Sequence, residues 1–214
     1  MNILRRLYLS ERNCSYCGKR LNGETQGYVC DSCLGSIKPY HPINYVSLEF
    51  ISSYRVFGLY KGALSHSLKL VKFENVKPLA YSLGRTVGEH LKEFMEETHP
   101  DLVTYVPTHF IRRWRRGFDQ NEEILRSAQV NLSKLLLRVK HSKPMARLRK
   151  KERLTAVRNA FSVKKEFLDR IEGKKILVFD DILTTGATST SVAELLLSLG
   201  AFEVYFYFMA KESE

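Results

Sequence analysis

Two adjacent carboxylates, Asp180 and Asp181, stand just ahead of a hydroxyl- and glycine-rich run of Thr184, Thr185, Gly186, Ala187 and Thr188. Residues 176–179 before them are Ile-Leu-Val-Phe, the unbroken apolar run of a strand covered on both faces of a parallel sheet. Val192, Leu195, Leu196 and Leu199 after them recur at helical spacing. The run therefore lies where a strand hands over to a helix N-terminus. There, free backbone N–H groups and the helix dipole attract phosphate. Gly186 lets the backbone approach closely, and Thr184, Thr185 and Thr188 offer hydroxyl donors. The carboxylates would repel a phosphate, so they suit a ligand that carries hydroxyls near its phosphate, such as a 5-phosphoribosyl group. The competing reading is a plain strand–turn–helix with two solvated acids. The coincidence of strand, acid pair, hydroxyl loop and helix in this order favours a site.

A second constellation is Cys14-x-x-Cys17, a 12-residue gap, then Cys30-x-x-Cys33. Two such pairs suit a tetrahedral thiolate site for zinc. Disulfides or an iron–sulfur cluster are the alternatives. Four thiolates leave no position for water or substrate, so the site reads as structural. About 35 residues fold poorly without such a staple.

The charge is lopsided. Of a formal net charge of +11, residues 111–165 hold 17 basic and 4 acidic side chains, and the rest of the chain is close to balanced. A local excess of this kind implies a polyanionic partner, pyrophosphate or nucleic acid. Arg112, Arg113, Trp114, Arg115 and Arg116 interleave a ring with arginines, near Phe110 and Phe118. Rings stack on bases and cations follow phosphates in single-strand binders. Alternatively Trp114 and Phe118 anchor the loop to the core. Further on, Arg147, Arg149, Lys150, Lys151 and Arg153 cannot pack inside; they form either a flap over pyrophosphate or a groove for nucleic-acid backbone.

The positioning elements follow from periodicity. Residues 52–60 alternate as a strand, 64–73 and 78–98 carry helical spacing, and 102–106 form a strand ending at Pro107. Residues 121–128 read as a helix, 132–139 are ambiguous, and 175–179 and 203–209 are strands. Alternating strands and helices predict an α/β fold with a parallel sheet. Ligands bind at the carboxyl ends of such strands, so Pro107, Thr108 and His109 can face the acid pair across one crevice. Residues 38–42 contain two prolines and read as a linker. They separate a cysteine module, 1–40, from a larger domain, 41–214. No apolar run approaches the roughly 20 residues of a membrane span. Arg5 and Arg6 interrupt the N-terminal apolar residues, so a cytoplasmic location is expected. No Walker A loop, His-Glu-x-x-His helix or Gly-x-Ser-x-Gly elbow is present.

The segment 175–188 resembles the signature of type I phosphoribosyltransferases, which bind 5-phosphoribosyl-1-pyrophosphate (PRPP). The resemblance implies that Thr184 to Thr188 cradle the 5′-phosphate and that Asp180 and Asp181 hold the ribose hydroxyls. It also implies a pyrophosphate side at Pro107, Thr108 and His109. With the cysteine module, Arg116-Gly-Phe-Asp-Gln120 and Arg158-Asn-Ala-Phe161, the chain resembles the ComF family of phosphoribosyltransferase-like proteins along nearly its whole length. Asp119 stands where that family has Asn, and the segment 147–159 lacks its usual Gln. Lys72 matches a basic residue near the pyrophosphate side; Lys69 is a weaker candidate.

The expected architecture is thus a type I phosphoribosyltransferase-like parallel sheet flanked by helices, with a small zinc-ribbon-like module. The resemblance implies structural Zn²⁺, Mg²⁺ with PRPP, and a role in DNA uptake during natural transformation, with single-stranded DNA and competence-machinery proteins as partners. The alternative is an active phosphoribosyltransferase that passes the phosphoribosyl group to an unidentified nucleobase or amine and releases pyrophosphate. A PRPP-sensing regulator of transcription is weaker, because no helix-turn-helix is visible.

Overall fold

The computed structural model describes residues 13–21, 28–40, 47–139 and 160–212. In chain order it contains α1 (Asp31–Gly35), β1 (Ser53–Leu59), α2 (Gly62–Phe73), α3 (Lys77–Thr98), β2 (Leu102–Tyr105), α4 (Phe110–Arg116), α5 (Gln120–Ser127), β3 (Leu136–Arg138), β4 (Phe161–Val163), β5 (Lys175–Leu183), α6 (Ala187–Ser198) and β6 (Glu203–Lys211). A 3-10 turn, Lys165–Arg170, precedes β5.

The strands β1-β6-β5-β2, in that order, make one parallel sheet. Parallel strands need crossover helices, which cover both faces, and the central strands answer with unbroken apolar runs. Leu177, Phe179, Tyr205, Tyr207 and Met209 face the layer of α2, α3 and α5, packing with Leu68, Leu83, Leu91, Ile124 and Leu125. Ile176, Val178, Val204, Phe206 and Phe208 face the other way, onto Val192 and Leu196 of α6 and onto Leu136 and Phe161 of the β3–β4 hairpin. The α/β architecture with its parallel sheet is therefore as the sequence predicts. Cys14, Leu21, Val29, Cys33 and Leu34 of the cysteine segment belong to the first of these two apolar layers, and Ser15 Oγ lies 3.0 Å from His66 Nε2 on α2.

Two local features differ from expectation. The basic stretch after His109 is not a loop but helix α4, closed by Gly117 at φ 80°. Strand β5 continues through the acid pair to Leu183, and α6 begins at Ala187. The intervening loop is therefore only residues 184–186, and Gly186 takes a left-handed φ of 76° there.

Candidate functional site

The crevice arises because two neighbouring strands end at different heights. Strand β2 stops at Tyr105, and Val106 N makes the last bond across, to Phe179 O at 2.9 Å. Strand β5 goes on, so its next residues, Asp180 and Asp181, have lost their neighbour on that side. The gap is filled by the chain that leaves β2. Pro107, Thr108 and His109 line a cavity of about 70 Å³ together with both aspartates, Lys72, Arg112 and Arg116. This is the carboxyl-end crevice that an open α/β sheet offers to ligands.

The acid pair is held by the protein's own donors. Lys72 Nζ, from the last turn of α2, lies 3.2 Å from Asp181 Oδ2, and Gln120 Nε2 donates to the same oxygen. Asn121 Nδ2 donates to Asp180 Oδ1 at 3.4 Å and to Val106 O at 3.0 Å. Burial, and then the charge on Asp181, push Asp180 up to about 8. Arg116 braces the floor by donating to Gln120 Oε1 at 2.7 Å and to the Lys72 carbonyl at 2.8 Å. Asp119 caps α5 by accepting from Asn121 N, and its other oxygen accepts from Thr108 N at 2.8 Å. One buried carboxylate therefore fixes both the helix that carries Gln120 and Asn121 and the loop that carries Thr108. That capping role explains how Asp can stand where the family has Asn: both are good N-caps.

Most of the expected pyrophosphate-side residues thus meet at one place. His109 is not an exposed loop residue but is buried, with Nδ1 accepting from Ile111 N at 3.2 Å. Thr184, Thr185, Gly186, Ala187 and Thr188 occupy the loop and first turn beyond the same strand; Gly186 caps α6 without a side chain, and Thr185 Oγ1 accepts a long bond from Ala187 N at 3.5 Å. A Cβ at Gly186 would come within 2.6 Å of Leu48 Cδ2. The arginines of α4 divide: Arg112 and Arg116 line the cavity, while Arg113, Trp114 and Arg115 face solvent. Trp114 is 82% exposed and Phe110 67%, but Phe118 is 6% exposed and belongs to the core, so Phe118 offers no ring to a base. Lys69 lies over the Tyr60 ring instead of the crevice. Arg147, Arg149, Lys150, Lys151 and Arg153 lie outside the described residues.

Sequence reasoning missed Gln120, Asn121 and Arg138, all of which line the cavity. The first two could have been found from the cap: an Asp before a helix puts the next residues in its first turn. Arg138, on a three-residue strand, carries no such signal.

The four cysteines form a second centre. Their sulfurs all lie within 4.8 Å of one another, with Cys14–Cys33 at 3.9 Å and Cys17–Cys30 at 3.7 Å. A disulfide requires about 2.05 Å. A tetrahedral ion with Zn–S bonds of about 2.3 Å spaces its sulfurs by about 3.8 Å, so the donor set and spacing fit a metal. Gly18, at φ 77°, turns the first knuckle, and the N–H groups of Cys17 and Cys30 point at Cys14 Sγ. Burial alone would raise the Cys14 thiol; those N–H groups and that of Tyr16 outweigh it and hold it down at about 6. Burial raises Cys30 and Cys33, as expected for thiols crowded together without a cation. Among the described residues no helix is long and apolar enough to cross a membrane.

No family model matches the chain. It is 28% identical over 210 residues to "Competence protein F" of Haemophilus influenzae, covering 92% of this chain and 84% of that protein. It is 26% identical over 206 residues to "DNA utilization protein YhgH" of Salmonella typhimurium, covering 92% and 83%, and 27% identical to the Escherichia coli K12 protein of the same name, covering 71% and 69%. A solved structure described as that of the allosteric regulatory enzyme of purine biosynthesis matches with 21% identity and a TM-score of 0.41, over 66% of this chain and 30% of the other. The sequence likeness to competence protein F and YhgH extends along most of the chain.

Proposed function

We propose that the crevice binds PRPP and that the protein acts in DNA uptake by handling single-stranded DNA. The observation that carries the first half is the acid pair at the open end of β5, next to the glycine-capped N-terminus of α6. On binding, the ribose hydroxyls would take over the acceptor positions now used by Lys72 and Gln120 on Asp181 and by Asn121 on Asp180. Thr184, Thr185 and Thr188 and the first N–H groups of α6 would hold the 5′-phosphate. Lys72, Thr108 and His109 would face the pyrophosphate. Mg²⁺, when bound with PRPP, would supply charge neutralisation for the diphosphate. Calorimetric titration of Mg²⁺ and PRPP is expected to show binding that Asp180→Asn/Asp181→Asn abolishes. A flat titration of the wild-type chain would overturn the reading.

The second half is supported by the names of the relatives and by the outward face of α4. Phe110 and Trp114 lie one turn apart and exposed, Trp114 between Arg113 and Arg115, in the most basic part of the chain. Arg147, Arg149, Lys150 and Lys151 would extend this surface or fold over the crevice. Anisotropy of a labelled single-stranded oligonucleotide should fall steeply with salt. Arg113→Ala/Arg115→Ala should flatten the log–log slope by roughly 0.7 per lost phosphate contact. Trp114→Ala should weaken binding at every salt concentration, by stacking worth about 1–3 kcal/mol. An unchanged slope in the double variant would remove α4 from the DNA path. Competence-machinery proteins are further expected partners, and Zn²⁺ is the expected occupant of the cysteine cluster.

The alternative reading is turnover. A nitrogen of a nucleobase or amine would attack C1 of the ribose, the C1–O bond to pyrophosphate would break, and pyrophosphate would leave with that electron pair. Orientation and charge stabilisation would carry such a reaction. Pyrophosphate release in the presence of one acceptor from a nucleobase and amine panel would establish it; inactivity across the panel would leave binding without transfer.

A further inference from the structure

Around the crevice two carboxyls, Asp180 and Asp181, face four cationic side chains, Lys72, Arg112, Arg116 and Arg138. Two of the four cations are already used. Lys72 pairs with Asp181, and Arg116 donates both its terminal nitrogens within the protein, to Gln120 and to the Lys72 carbonyl. Arg138 differs. Its Nε, like that of Arg116, is buried without a hydrogen-bond partner, but unlike Arg116 it makes no other side-chain hydrogen bond, and it forms no ion pair, among the described residues. The charges that act on it are Arg112, a like charge, and then the two aspartates. The guanidinium is not loose: it lies over the Phe161 ring at 5.3 Å, and the paired strands β3 and β4 tie its backbone to the core through Leu136 and Phe161.

A guanidinium that is fixed, partly desolvated and unpaired is costly to keep. Placing a second arginine beside it adds repulsion. Both penalties disappear if an anion with several oxygens sits between them. The lining of this cavity of about 70 Å³ is mostly polar and charged, which suits a phosphoryl group. Arginine's planar fork is also the side chain best matched to phosphate oxygens.

We infer that Arg138, with Arg112, joins Lys72 in a subsite for the diphosphate of PRPP, whereas Arg116 braces the acid pair. The inference rests on the phosphoribosyl reading above and adds to it a residue on β3 that discriminates the diphosphate ester from the monophosphate. Arg138 is then the residue that senses whether C1 carries pyrophosphate.

The test is calorimetric titration of the full chain with three probes: Mg²⁺ with PRPP, ribose 5-phosphate, and Mg²⁺ with inorganic pyrophosphate. Arg138→Ala should weaken PRPP and pyrophosphate by roughly 10- to 100-fold, as loss of a charge-assisted hydrogen bond does, and ribose 5-phosphate by less than about 3-fold. Arg138→Lys should recover only part of the loss, since an ammonium lacks the fork. Equal losses for PRPP and ribose 5-phosphate, or no loss for PRPP, would overturn the inference. If circular dichroism shows that Arg138→Ala does not fold, the same comparison is made with Arg138→Lys and Arg138→Gln. If the wild-type chain binds neither sugar phosphate, the phosphoribosyl reading fails. The pyrophosphate titration then decides alone: Arg138-dependent binding retains the anion subsite, and none rejects it.

Discussion

Asp180 illustrates how a residue proposed to bind ligand works against the fold that holds it. Its folded value is raised to about 8 by burial and by Asp181, whereas an unfolded Asp sits near 3.9. Between those values the folded chain keeps a proton that the unfolded chain has lost. The contribution to stability is therefore complete below about pH 4 and is lost as pH rises through 8. An asparagine side chain in its place would keep the acceptor that Asn121 and Asp181 N now use and would carry no charge. Asp180→Asn is thus expected to raise Tm at pH 8 by about 3 °C or more, to change it little at pH 4, and to lose PRPP binding. Thermal melts at the two pH values check the sign. A lower Tm at pH 8 would mean that the ionised carboxylate is stabilised by its cationic neighbours after all.

At the scale of elements, the crevice depends on α5, which presents Gln120 and Asn121, and α5 is set by how closely it crosses α3. Gly84 makes that crossing possible: a Cβ there would lie 2.3 Å from Ile124 O and 2.7 Å from Ser127 Cβ. Gly88, one turn on, is different, because its nearest neighbour would be Ala128 Cα at an ordinary 3.8 Å. Gly84→Ala should destabilise by about 2–3 kcal/mol through overpacking. Gly88→Ala should be neutral or stabilise by up to about 1 kcal/mol, since alanine suits a helix better. Denaturant midpoints of the two variants, measured side by side, separate steric crossing from helix propensity. This contrast was not legible in the sequence, where both glycines look alike. The cap at Asp119 was half legible: the motif was plain, but its reach to Thr108 N came only with the loop beside it.

At the scale of the molecule, the cysteine cluster lies against α2, at the opposite end of that helix from the lysine that pairs with Asp181. Leu21, Val29 and Leu34 pack in the layer shared with α2 and α3, so releasing a metal held by the four cysteines would free apolar surface of the main core. Strong chelation, or Cys14→Ser/Cys33→Ser, should lower Tm by about 10 °C or more with loss of bound metal measured by elemental analysis. An unchanged melt with the metal gone would make the cluster ornamental to stability. Composition and spacing alone determined the parallel sheet, the four-cysteine cluster, the acid pair with its hydroxyl- and glycine-rich loop, and the basic middle segment, because each is written in local periodicity or in residues a few positions apart. Only the tertiary structure decided which arginines face the crevice and which face solvent, that Phe118 belongs to the core, and that Arg138 joins the site. Those outcomes depend on strands ending at unequal heights and on a hairpin packed across the sheet, and such contacts between distant segments leave no trace in the spacing of either.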